Sequence, residues 1–128
     1  MEGKGKYKVK LVAVKSGKDL TATVAGGEEP HIGAVAIAIS RPSLKNPNKL
    51  SATSSVFTLV GHKEDKLARR AAEKITKATK ETTVTVVGLH INKATSQDIE
   101  SLVQNTQKAV SKLIEKLCNK KKTGEEDK

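Results

Sequence analysis

Three histidines, His31, His62 and His90, are the side chains of this chain best suited to chemistry near neutral pH, because an imidazole there can donate, accept or ligate a metal. Lys63 follows His62 directly and Asn92 stands two residues after His90, so an ammonium and an amide accompany the imidazoles. Three imidazoles could hold a metal ion, contact a phosphate or move a proton. Zinc sites usually draw at least two ligands from one short stretch, and here the histidines stand roughly thirty residues apart. No Walker loop, nucleophile elbow, H-E-x-x-H helix or dinucleotide fingerprint occurs. A Ser–His–Asp set can be written from these residues, but no spacing selects one. Cys118, the single cysteine, can form neither an internal disulfide nor a multi-cysteine zinc site, and reads as a partly buried thiol at the edge of a helix stripe.

The elements that would position these residues follow from periodicity. Tyr7, Val9, Leu11 and Ala13 alternate with Lys6, Lys8, Lys10 and Val12, which predicts a strand with one buried face and lysines guarding its edge. The turn Ser16-Gly17-Lys18 leads to a second alternation at Leu20, Ala22 and Val24, closing a hairpin. The run from Ala34 to Ile39 is wholly apolar and predicts a central strand covered on both faces, with the alanines admitting a close neighbour on their side. Pro42 and Pro47 make 41–50 a loop, and a fourth strand spans about 52–60. Residues 63–80 form an amphipathic helix with a buried stripe of Leu67, Ala68, Ala71, Ala72, Ile75 and Ala78 and a solvated basic face. Residues 82–91 are β-branched and predict a fifth strand.

Thr95 and Asp98 form a capping box for a last helix over 96–118, whose apolar stripe is interrupted by Thr106. That stripe can pack within the molecule or pair with a second copy as a homodimer, and Thr106 either sets register or bonds back to its own helix. The expected fold is therefore α+β, a mostly antiparallel five-stranded sheet with two helices in the order ββββαβα. Residues 1–118 make a single domain, and 119–128 a disordered charged tail.

Short connections around Gly61 and Glu81 make strands four and five run in the same direction. His31, His62 and His90 then reach one edge of the sheet together with the starts of both helices. Helix starts carry unpaired N–H groups and partial positive charge, which suits an anion or phosphate. Glu64 and Asp65, in the first turn of the first helix, complement its dipole themselves and oppose a phosphate.

The net charge of +10 points at first to an anionic partner. Residues 1–18 hold six lysines against Glu2, so half of the excess sits on the N-terminal hairpin. With Tyr7 and Phe57 as the only aromatic side chains, the stacking platforms of single-strand binding are missing, which argues against nucleic acid. No run approaches the roughly 20 apolar residues of a membrane span, and the first six residues lack the apolar core of a signal peptide, so the expected location is the cytoplasm.

Three segments carry a family resemblance: HIGAVAIAISRPS at 31–43, SVFTLVGHKEDKLARRAAEKI at 55–75 and TVTVVGLHINKAT at 83–95. In them the chain resembles the prenylated-flavin chaperone-like proteins similar to the small D subunit of gallate decarboxylase, over roughly its C-terminal three quarters. The resemblance implies a fold similar to that of proteasome-assembly chaperones. It also implies an accessory role, without required catalysis, for a prenylated-FMN-dependent decarboxylase. No cofactor would be held permanently; prenylated FMN or another phosphate-bearing ligand would pass through. Should a flavin phosphate be held, the expected contacts are the N–H groups after Gly61, with Lys63, His31, His62 and His90, and with Asn92 beside them. Against this stand two alternatives: a structural assembly module of the proteasome-chaperone type, and a small enzyme or metal protein using the histidine edge.

Overall fold

The computed structural model describes residues 1–59 and 64–123. Its elements are β1 (Val9–Ser16), β2 (Asp19–Gly27), β3 (Ala34–Pro42), β4 (Leu50–Thr58), α1 (Glu64–Thr79), β5 (Thr83–His90) and α2 (Ser96–Thr123), in the expected order. The last five residues of α2 extend past Cys118 into the segment read from sequence as a tail. A short 3-10 turn at Gly5–Tyr7 precedes β1, so Tyr7 stands before the strand rather than on it.

The five strands form one mixed sheet in the order β1-β2-β5-β3-β4. β4 and β5 do run the same way, since each is antiparallel to β3, but β3 lies between them. The parallel neighbour of β5 is β2. Composition explains the placement. Val84, Val86 and Val87 suit an interior strand, whereas Ser51, Thr53, Ser54 and Ser55 make β4 tolerant of an edge.

Both helices cover the same face of the sheet, α1 over β3, β4 and β5, and α2 over β1 with a lighter contact to β2. Ala34, Ala36 and Ala38 are fully buried beneath α1, as the small side chains predicted. The approach is close enough that the Thr85 hydroxyl donates to the Ala68 carbonyl of α1 at 2.7 Å. Ile75, Val24 and Val87 fill the space between layers, each contributing about 1.5–3 kcal/mol by leaving water. Ala78 is exposed, and Thr76 and Thr79 take its place in the buried stripe. They can do so because Thr79 donates to the Ile75 carbonyl and Thr76 to the Glu81 carbonyl, so neither hydroxyl is buried without a partner. In α2 the stripe packs on β1 and α1 through Leu102 and Val110 while Ile99 stays exposed, and Thr106 donates to the Leu102 carbonyl at 2.8 Å, the self-bonding alternative.

Among the described residues no helix covers the opposite face of the sheet. Ile37 and Ile39, expected beneath a second layer, are 45% and 49% exposed. An apolar run therefore marks a central strand here without marking two covers.

Candidate functional site

β5 ends at the corner where the chain enters β3 and where α1 and α2 begin. Gly88 makes the crossing possible: a Cβ at this position would overlap the backbone carbonyl of His31. With only hydrogen there, the segment before β3 lies directly against β5, and the Gly33 N–H donates to the Val87 carbonyl at 2.9 Å. Gly27, at φ +89°, lets the loop after β2 turn onto the same strand end, where the Glu28 N–H donates to the His90 carbonyl at 2.7 Å.

These two approaches bring His31 and His90 together, with ring centroids 5.5 Å apart and planes inclined by 55°. The amide of Asn92 bridges outward, its Nδ2 donating to Glu29 Oε1 at 3.5 Å and its Oδ1 lying 3.1 Å from His90 Nε2. A carboxylate only accepts, so the amide is oriented with Oδ1 toward the ring, and His90 Nε2 must carry the proton it donates. In the neutral ring that leaves the lone pair on Nδ1.

Of the residues selected from sequence, His31, His90 and Asn92 thus gather at one place. Gly61, His62 and Lys63 lie outside the described residues. Glu64, which follows them, reaches across to Gly33, where its carboxylate occupies the space a Cβ would fill. Among the described residues no group of three metal-ligating side chains occurs.

Strand alternation divides the corner into two sides. Leu89 and Ile91 point into the core beneath the helices, and His90, the last residue of β5, stands between them at the strand end, touching both the cavity beside the helices and Asn92. On the helix side lies a cavity of about 430 Å³, walled by Leu67, Leu89, Leu102 and Val103 and rimmed by Glu64, His90 and Lys93. Its size falls in the range of small-molecule sites, and its apolar wall with few polar groups is the usual composition of one. Neither the cavity nor Lys93 was anticipated from sequence, because the wall is shared among three elements whose stripes read individually as ordinary core.

The start of α2 is fixed by the predicted capping box: the Asp98 N–H donates to Thr95 Oγ1 at 3.1 Å, and Asp98 Oδ2 accepts from the Thr95 N–H at 3.0 Å. The other oxygen of Asp98 accepts from the Tyr7 hydroxyl at 2.7 Å, with the Lys6 ammonium 3.6 Å away. The Thr95 N–H, the Tyr7 hydroxyl and Lys6 together hold the carboxyl at a pKa of about 2. Burial acts the other way and is outweighed. The N-terminal residues are tied to the side of α2 as well, through Asn105 Nδ2 donating to the Tyr7 carbonyl and through a Glu2–Lys112 ion pair. A second concavity, about 730 Å³, runs between α1 and α2 and is lined by Arg70, Lys74, Lys108 and Lys112.

Fold and corner together describe a small two-layer α+β domain with a ligand-sized cavity at one end of its sheet. Residues 3–118 match the model of the prenylated flavin chaperone LpdD-like domain, and the chain belongs to that family. The match takes in the N-terminal hairpin, which the three motif segments did not. Comparison with individually curated proteins gives no match. No helix among the described residues is long and apolar enough to cross a membrane.

Proposed function

We propose that this chain is a non-enzymatic accessory protein that receives prenylated FMN at the β5–α2 corner and hands it, in the cytoplasm, to a decarboxylase that uses it. The observation that carries the reading is membership of a prenylated flavin chaperone family together with a ligand-sized apolar cavity at that corner. The apolar wall suits a fused ring system bearing a prenyl group, and Lys93 supplies a cation at the rim for a phosphate. Glu64 opposes a phosphate on its own side of the rim. His90, which lines the cavity, would contact the cofactor with His31 and Asn92 beside its ring, and Gly61, His62 and Lys63 would do so from the segment leading into α1. A carrier must release what it binds, and a cavity that meets a phosphate with one lysine and one opposing carboxylate suits transfer rather than permanent retention.

Titration of the purified protein with prenylated FMN, followed by flavin fluorescence, tests the first half. Saturable binding is expected, weakened about tenfold or more by Ile99→Glu, which puts a carboxylate on the cavity wall, and less by His90→Ala. Reconstitution of the cofactor-free decarboxylase tests the second half, the expected result being faster activation with the wild-type chain than with free cofactor. A protein that neither binds the flavin nor changes the activation rate is not its chaperone.

A further inference from the structure

We propose that the cationic furrow between α1 and α2 is the docking site for an acidic segment of the protein that receives the ligand. Arg70 and Lys74 stand one turn apart on α1, and Lys74 Nζ donates to Ser111 Oγ of α2 at 3.2 Å, tying the two walls together. Both helices begin at the same corner and run the same way, so Lys108, three residues before Ser111, stands opposite Arg70. Leu67, Ala71 and Val110 are buried beneath the furrow, and what it presents to a partner is therefore charge and hydrogen bonds rather than apolar area. No Asp or Glu lines it among the described residues. Lys112 pairs with Glu2, whereas Arg70, Lys74 and Lys108 form no ion pair among the described residues. Glu73, the carboxylate nearest to them on α1, is turned toward β4, where it accepts from the Ser54 hydroxyl. Glu100 accepts from Gln104 Nε2 at 3.4 Å and bounds the furrow on the side of the helix starts.

The occupant follows from charge and spacing. Four residues of helix separate Arg70 from Lys74 by about 6 Å of rise, and side chains on one face of an extended chain recur at about 6.8 Å. Carboxylates on alternate residues of a partner segment therefore meet both cations, with Lys108 reaching the segment from the other wall. Nucleic acid fits less well, because three cations within about two helical turns make no track for a phosphate backbone and no aromatic side chain lines the furrow. Leu67 belongs to the wall of the flavin cavity as well as to the furrow, so a partner seated here stands beside the bound ligand. The choice of partner rests on the carrier role proposed above; the preference for carboxylates does not.

Fluorescence anisotropy of a labelled eight-residue peptide alternating glutamate and serine, with no flavin present, reads the furrow directly. Saturable binding is expected, with a dissociation constant raised about tenfold or more by the double variant Arg70→Glu/Lys108→Glu. Lys10→Glu/Lys18→Glu removes the same charge from the N-terminal hairpin and should change it less than about twofold. Far-UV circular dichroism confirms that the variants fold, and should the furrow reversal fail to fold, Arg70→Gln/Lys108→Gln decides. Absence of binding overturns the proposal, as do equal losses in the two double variants, which mark attraction to net charge alone, and an oligothymidylate that binds the furrow as tightly as the peptide. Activation of the cofactor-free decarboxylase by the flavin-loaded chain tests the partner: the furrow variant should activate it about tenfold more slowly while binding flavin as tightly as wild type. An unchanged activation rate overturns the docking role. A chain that seats the peptide and binds no flavin overturns the carrier role instead, and with it the choice of partner, so the two failures are told apart.

Discussion

At Gly88 a missing side chain does structural work, because the His31 backbone occupies the space a Cβ would need. Gly88→Val should therefore lift the 31–33 segment from β5, separate the imidazoles and lose about 2–3 kcal/mol of stability. The check is a urea midpoint together with the ¹H–¹⁵N imidazole spectrum, in which the His31 and His90 signals should both move. Asp98 has the opposite character, a side chain holding three partners at once. Its carboxyl is lowered from 3.8 in the free side chain to about 2, so its contribution is complete above pH 4 and fades as the pH falls toward 2. Asp98→Asn should be less stable than wild type at neutral pH, and the gap between their urea midpoints should close between pH 4 and pH 2. Both residues were only partly legible. The capping role of Asp98 is written in the Thr95-x-x-Asp98 spacing, whereas its bond to Tyr7 joins residues 91 apart and leaves no local signature. Gly88 reads from sequence as a weak point in a strand, and its meaning appears only when the crossing chain is seen.

Among the elements, α1 ends under strain. Lys80 follows its last residue with φ +64°, and its N–H donates to the Thr76 carbonyl at 2.7 Å. This is the left-handed closing position that glycine occupies most easily. Lys80→Gly should raise stability by about 0.5–1 kcal/mol, seen as a Tm increase of about 2–4 °C, because relief of the crowded Cβ exceeds the added freedom of the unfolded chain. Existence and type of every strand and α-helix could be read from period and turn residues, whereas the 3-10 turn at Gly5–Tyr7 could not. The neighbours of each strand could not. Alternation specifies which face a residue occupies and is silent on which strand lies beside it, so the insertion of β5 between β2 and β3 had no local cue. The three-histidine edge depended on that topology only through strand direction, which is why His31 and His90 meet as expected even though β4 and β5 are not neighbours.

Across the whole molecule the two layers differ in kind. Cations line the furrow between the helices, whereas the bare sheet face keeps ions to its margin. The apolar run of β3 predicts a strand covered on both faces, and only its alanine side lies beneath a helix, with Ile37 and Ile39 left facing water. Ammonium sulfate makes water a poorer host for such side chains, so the wild-type chain should precipitate at a lower concentration of that salt than Phe57→Glu does, as turbidity would show.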